Sequence, residues 1–136
     1  KKMMDANKLD KKRFVFGDEC TQEKLKLLPL SEKALIVSDC EGYELELFSE
    51  STVESLKQHD FLIETHDCIN IEISTKLYSI LNKTHDIKII KSSDDILKAK
   101  YYDYPELLTY SLKEKLYLLS EERGAIMEWF YATPRV

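Results

Sequence analysis

Residues 34–48 read ALIVSDCEGYELELF and carry the signal that decides the fold. The apolar run from Ala34 to Val37 predicts a buried strand. It ends in an acidic turn, DCEGYE at residues 39–44, which holds three carboxylates and a glycine. Ligands of open α/β sheets bind at the carboxyl ends of the strands, so this turn is a candidate site. Gly42 would allow the backbone to turn sharply there.

The rest of the chain predicts strands that alternate with helices. The expected strands are residues 13–16, 34–39, 61–66, 86–91 and 126–132. The expected helices are residues 21–28, a segment to Gln58 opened by a capping box of Ser51 and Glu54, residues 70–83, a segment from about Ile96, and one marked by Leu112, Leu116 and Leu119. This alternation predicts a single α/β domain over residues 1–136, with a mostly parallel sheet covered by helices.

Composition narrows the class of protein. The chain has 136 residues, 43% hydrophobic and 33% charged, which is enough for one globular domain with a real core. The net charge is −5 and no basic stripe occurs, which argues against nucleic acid as a partner. No apolar run approaches membrane-spanning length, so no membrane partner is expected. Three cysteines without Cys-x-x-Cys or zinc-site spacing, and no signal peptide, indicate reduced thiols and a cytoplasmic protein.

Four motifs resemble a known family. Residues 35–44, LIVSDCEGYE, resemble the fourth-strand motif of FkbM-type S-adenosylmethionine-dependent methyltransferases, an Asp-x-Glu-Gly-x-Glu that follows an apolar run. Residues 62–66, LIETH, are similar to the fifth strand of that family, which commonly ends in Ile-Glu-x-His. Residues 13–18, RFVFGD, look like its third strand. Residues 128–134, EWFYATP, resemble its last strand, which runs antiparallel.

The resemblance implies a particular fold, and it also implies that the first part of that fold is missing from residues 1–136. The fold is the Rossmann-like sheet of class I methyltransferases, mostly parallel with an antiparallel last strand. In that family the domain begins with a strand, a Gly-x-Gly turn that holds the cofactor, and a second strand, and none of these is present; Gly17, Gly42 and Gly124 are isolated. We therefore expect residues 1–136 to be the carboxyl-terminal part of a larger methyltransferase domain, with weak or no activity alone.

The resemblance also implies roles for individual residues, with S-adenosylmethionine as cofactor. It places Asp39 at the floor of the cofactor and substrate site, where its carboxylate accepts from the cofactor's amino group or orients a nucleophile. Glu41 would be a general base or a partner for a substrate hydroxyl. His66 is the best general base, because imidazole titrates nearest neutrality. Asp18 and Glu19, after the third strand, would contact adenine.

Other interpretations of these residues stay open. Acidic residues are also favoured at the start of a helix, where Glu41 and Glu44 would share a face. The first interpretation includes no metal. A set of Asp39, His66 and Asp67 would nevertheless offer hard metal ligands, as in some oxygen methyltransferases. A set of Asp39, Glu41 and His66 would instead suit a metal-dependent, hydrolase-like site.

The expected function is methyl transfer to an oxygen of a small molecule or sugar. The alternative is a non-enzymatic α/β interaction domain that binds a protein partner. A tyrosine cluster would serve that role, since tyrosine joins an apolar ring to a polar tip; it consists of Tyr101, Tyr102, Tyr104 and Tyr110. An open sheet edge would serve it too, by pairing with a second copy in a homo-oligomer.

Overall fold

The structure is a computed structural model that describes residues 2–10, 12, 14–30, 32–121, 124 and 127–135. Four strands occur in this part of the chain: β1 (Leu35–Ser38), β2 (Asp60–Thr65), β3 (His85–Lys91) and β4 (Glu128–Pro134). The α-helices described are α1 (Lys2–Ala6), α2 (Gln22–Lys26), α3 (Glu44–Leu47), α4 (Glu50–Ser55), α5 (Ile73–Leu81), α6 (Asp95–Tyr101) and α7 (Leu112–Leu119). A 3₁₀ turn spans Pro105–Leu107.

The four strands form one mixed sheet in the order β1-β2-β4-β3. Strands β1 and β2 are parallel, with Val37 opposite Leu62. Strand β4 runs antiparallel to both of its neighbours, β2 and β3. The predicted α/β class and the antiparallel last strand are thus confirmed. Three of the four strands, β1, β2 and β3, point the same way and β4 alone runs against them, as predicted. Because β4 lies between β2 and β3, the pairing of the sheet is mixed.

The main apolar core lies between one face of the sheet and helices α2 to α5. Its fully buried side chains from the sheet include Phe61, Ile63 and Phe130. On α5, Ile73, Leu77 and Leu81 recur at a spacing of four residues and are buried, as the sequence predicts.

Strand β1 lies at an edge of the sheet, which corrects the predicted buried, interior strand. In the described part of the chain β1 pairs with β2 alone. Ile36 packs against the core, but Leu35 and Val37 are 53% and 60% exposed. Successive side chains of a strand point to opposite faces, so only one face of this apolar run is covered.

The predicted first strand, at residues 13–16, is not formed in its described part. Residues 14–17 have no strand pairing, and Arg13 lies outside the described residues. Val15 is 96% exposed and Phe16 61% exposed. A strand needs a hydrogen-bonded neighbour, and this segment has none among the described residues.

The ends of the other helices and strands differ from the predicted ends by a few residues. Helix α2 begins after the predicted cap, Thr21, whose side chain accepts from the backbone N–H of Lys24. Helix α4 is capped by Ser49, which accepts from the N–H of Thr52, so the predicted capping box of Ser51 and Glu54 is wrong. The last strand continues to residue 134, and residue 126 lies outside the description. Among the described helices, none has the length and apolar character needed to cross a membrane.

Candidate functional site

A tight turn follows β1 and directs the acidic side chains. The N–H of Tyr43 donates to the carbonyl of Cys40 at 3.2 Å. Both central residues have positive φ, 51° at Glu41 and 95° at Gly42, as in a type I′ turn. A Cβ on residue 42 would lie 3.1 Å from Cγ2 of Ile69. Glycine at this position therefore meets both a backbone and a packing requirement.

His66 immediately follows β2, the parallel neighbour of β1. Parallel strands end at the same edge of a sheet, so the turn after β1 and His66 are brought together. The backbone N–H groups of Ile69 and Asn70 both donate to the carbonyl of His66, which fixes the chain as it leaves the strand. The His66 side chain is only 3% exposed.

Glu44 holds one nitrogen of this imidazole. Its Oε1 lies 2.5 Å from Nδ1 of His66 and also accepts from the N–H of Gly42 at 3.2 Å. Glu44 is fully buried, and its Oε2 has no hydrogen-bond partner among the described residues. An ionised carboxylate can only accept, so this contact is a hydrogen bond from Nδ1–H of His66 when Glu44 is ionised.

The other nitrogen of His66 faces two more carboxylates. Nε2 lies 3.4 Å from Oδ1 of Asp39 and 3.4 Å from Oε2 of Glu41. Both acidic side chains are exposed, 52% and 81%. The buried imidazole therefore presents Nε2 to an open acidic surface. In the described part of the chain, His66 is the one ion-pair partner found for this carboxylate set.

The structure thus brings together three of the predicted site residues, Asp39, Glu41 and His66. Asp67 does not join them. Its Oδ1 and Oδ2 accept from the N–H and the hydroxyl of Ser74, at 2.8 and 2.5 Å. Asp67 therefore caps the first turn of α5, and the alternative set with Asp67 as a metal ligand is not the one that assembles.

Asp18 and Glu19 occupy a different setting from the one expected. They precede α2, and no strand forms in the described residues before them. The carboxylate of Asp18 is 82% exposed and pairs with Lys24 at 2.7 Å. The carbonyl of Glu19 accepts from the same ammonium group. Their predicted contact with adenine assumed a strand directly before them, and that strand is not formed in the described residues. The contact with adenine stays a prediction.

Two other groups are not suited to nucleophilic or general-base chemistry: Cys40, in the turn after β1, and His85, at the opposite end of the sheet. Burial raises the pKa of the Cys40 thiol, which disfavours a reactive thiolate. Burial lowers the pKa of His85, whose Nε2 bonds to the carbonyl of His59. His59 in turn accepts from the N–H of Ala34. Both histidines are held by structural hydrogen bonds.

Sequence reasoning missed the specific role of Glu44. From the sequence alone, Glu44 fits the site and the ordinary acidic start of a helix equally well. The structure shows that Glu44 is buried against a histidine 22 residues away. The spacing of the motif places Glu44 near the site. The burial of the Glu44 side chain depends on tertiary packing, which the motif does not specify.

The tyrosine cluster is exposed on the surface. Tyr101, Tyr102, Tyr104 and Tyr110 are between 38% and 65% exposed. Tyr102 and Tyr104 pack edge to face, with ring centroids 5.7 Å apart. These contacts are local and assign no ligand to the cluster.

Comparison with known proteins adds no assignment. No protein-family model matches the chain, and neither the curated proteins nor the solved structures contain a match. The fold and the site therefore define the class of protein only as an α/β domain with a carboxylate–histidine cluster at the carboxyl end of its parallel strands.

Proposed function

We propose that this chain takes part in S-adenosylmethionine-dependent methyl transfer to an oxygen of a small molecule or sugar. One observation carries the proposal. The two motifs that most strongly resemble FkbM-type methyltransferases meet in one site, through the 2.5 Å contact of Glu44 with His66. The residues lie 22 positions apart, and they are joined by packing rather than by sequence.

The sheet supports the same proposal. The resemblance implies that the two motifs follow successive parallel strands, and β1 and β2 are parallel neighbours. It also implies an antiparallel last strand, which β4 provides. The segment compared with the third strand gives no such support, since residues 14–17 form no strand.

The carboxylates of the site suit the charge of the cofactor. S-adenosylmethionine is a net cation, with a cationic sulfonium, a cationic amino group and an anionic carboxylate, and when bound it would supply an electrophilic methyl group. Asp39 and Glu41 present exposed carboxylates beside Nε2 of His66. Asp39 would accept a hydrogen bond from the amino group, and the two negative charges would favour a cation.

With no metal ion on Nε2, His66 would act as the general base. Nε2 would take the proton of the acceptor hydroxyl, and the cofactor would supply the methyl group and leave as the neutral thioether. Glu44 would hold Nδ1–H and stabilise the imidazolium that results. General-base assistance of this kind contributes roughly 10²- to 10⁴-fold in rate. Glu41 would orient the hydroxyl toward His66.

Calorimetric titration with S-adenosylhomocysteine tests the proposal on the full-length gene product. We expect saturable binding at one site, weakened about tenfold by Asp39→Asn, which corresponds to about 1.4 kcal/mol. Glu46→Gln is the matched control, because it removes an exposed carboxylate from neighbouring α3. Absence of binding by the wild-type protein would overturn the proposal, and equal affinity of the Asp39 variant would remove Asp39 from the cofactor site.

A second candidate function is binding of a protein partner through β1. The supporting observation is the edge position of β1 together with the exposure of Leu35 and Val37. An edge strand offers unpaired backbone groups that a second chain can extend. Size-exclusion chromatography with light scattering tests this candidate, and a monomer at all concentrations would count against self-association.

A further inference from the structure

We infer that Asp39, Glu41 and His66 form a binding site for a divalent first-row transition-metal ion. One ligand atom from each of these residues lies within 4.8 Å of the others. The inference rests on this geometry alone and does not depend on methyl transfer.

The separations suit direct coordination. Nε2 of His66 lies 3.4 Å from a carboxylate oxygen of Asp39 and 3.4 Å from one of Glu41. Ligands about 2.1 Å from a tetrahedrally coordinated ion are about 3.4 Å apart. Two of the three separations match this spacing, and the oxygens of Asp39 and Glu41, which lie within 4.8 Å of each other, would close around the ion by movement of these two exposed side chains.

No hydrogen-bond donor from the described residues reaches Nε2 of His66. In the neutral tautomer of His66 that donates Nδ1–H to Glu44, Nε2 carries a lone pair and faces the carboxylate oxygens of Asp39 and Glu41. Three acceptors thus converge around one position, and His66 is only 2% exposed. A cation at this position satisfies all three acceptors at once.

Charge leads to the same conclusion. Asp39, Glu41 and Glu44 carry three negative charges around one imidazole. The ion pairs found for these carboxylates within the described residues all go to His66, and an imidazole that ligates a metal is neutral. A divalent ion would therefore offset two of the three negative charges.

Glu44 provides the support that metal-bound histidines usually have. A ligating imidazole commonly donates its second N–H to a carboxylate, which fixes the ring and makes the ligating nitrogen more basic. Glu44 makes this contact at 2.5 Å and is itself buried. His66 is therefore a rigid ligand, while the exposed Asp39 and Glu41 can adjust to the ion.

The ligand set narrows the choice of ion. Imidazole suits Zn²⁺ and neighbouring transition metals, and carboxylates suit Mn²⁺. Ca²⁺ requires six to eight oxygen ligands, which three side chains do not provide. We therefore expect Mn²⁺ and Zn²⁺ to bind, with at least one coordination position left for water or a substrate oxygen.

Mn²⁺ is the first probe, because the three free cysteines compete less for it than for Zn²⁺. Chelator-treated full-length protein is titrated with Mn²⁺ alone in a calorimeter, and Co²⁺ absorption reports the ligand field. We expect one ion per chain, bound about tenfold or more weakly by Asp39→Asn and by Glu41→Gln. Glu46→Gln is the control and should bind like the wild type.

Two results would overturn the inference. One is no Mn²⁺ or Co²⁺ binding by the wild-type protein. The other is binding that neither Asp39→Asn nor Glu41→Gln weakens, which would place the ion elsewhere. Both substituted side chains are exposed, so we expect unchanged thermal unfolding of the metal-free variants. No cofactor is added, so the outcome is separate from that of the S-adenosylhomocysteine titration.

Discussion

Oε1 of Glu44 lies 2.5 Å from Nδ1 of His66, and both side chains are buried. This contact joins the two segments that follow β1 and β2. The N–H of Gly42 donates to the same carboxylate oxygen, so the turn, the first residue of α3 and the histidine form one hydrogen-bonded unit. The orientation of the imidazole therefore depends on the geometry of the turn.

The contact of Glu44 with His66 should contribute measurably to stability. We predict that Glu44→Gln lowers the free energy of unfolding by about 1–3 kcal/mol, because the charged acceptor becomes a neutral amide whose NH2 would occupy the buried, unpartnered position of Oε2. Urea unfolding measures the change. Glu46→Gln, on the exposed side of α3, should change stability by less than about 0.5 kcal/mol. Equal effects of the two substitutions would show that the buried contact is not stabilising.

The turn should not tolerate a side chain at Gly42. We predict that Gly42→Ala lowers the free energy of unfolding by about 1–3 kcal/mol, because φ is 95° and the added Cβ would lie 3.1 Å from Ile69. Gly17→Ala is the control, since a Cβ there meets no atom within 4 Å. Thermal unfolding of both variants makes the comparison. An unchanged midpoint for Gly42→Ala would contradict the described turn.

His85 should make stability depend on pH. Its pKa in the folded protein is lowered from 6.5 by burial, so the unfolded chain takes up the proton first as the pH falls. We predict that the His85 contribution to the free energy of unfolding is complete above pH 6.5. It should fall below that pH by at most about 1.4 kcal/mol per pH unit, until the pH reaches the folded-state pKa.

Urea unfolding across this pH range, with wild-type protein and His85→Gln, isolates the contribution. The variant should have a smaller slope of stability against pH. Lys88→Gln, an exposed change on the same strand, should leave the slope unchanged. A His85 variant with the wild-type slope would assign the pH dependence to other groups.

Elements with a repeated local pattern could be predicted from the sequence. Ile73, Leu77 and Leu81 define one face of a helix at a spacing of four residues, and the structure buries that face. Strand β2 and its polar end at His66 were predictable for a similar reason. A short apolar run that stops at polar residues is typical of a strand.

Features that depend on a partner could not be predicted in this way. The apolar run of β1 fits an interior strand or an edge strand equally well, and only the sheet order shows the exposure of Val37. Residues 14–16 have strand-forming side chains, but no neighbouring strand pairs with them in the described chain. Burial of Glu44 requires the register that places β1 beside β2, which a single sequence does not specify.

The edge of β1 provides a test of self-association. We predict that the protein forms a concentration-dependent dimer and that Val37→Lys shifts it toward the monomer, because lysine on an edge strand disfavours pairing. Val37 is 60% exposed, so folding should be preserved. Light scattering after size exclusion measures the mass. Leu118→Lys on α7 is the control, since it makes the same kind of change at an exposed site off the sheet.

Imidazole NMR of the full-length protein tests the site most directly. The spectrum of its histidines is recorded during titration with S-adenosylhomocysteine, and His66→Gln assigns the signal of His66. We predict saturable shifts at His66, while the structurally bonded His59 and His85 stay unchanged. Shifts confined to the other two histidines, or none at any of them, would contradict a ligand site built around His66.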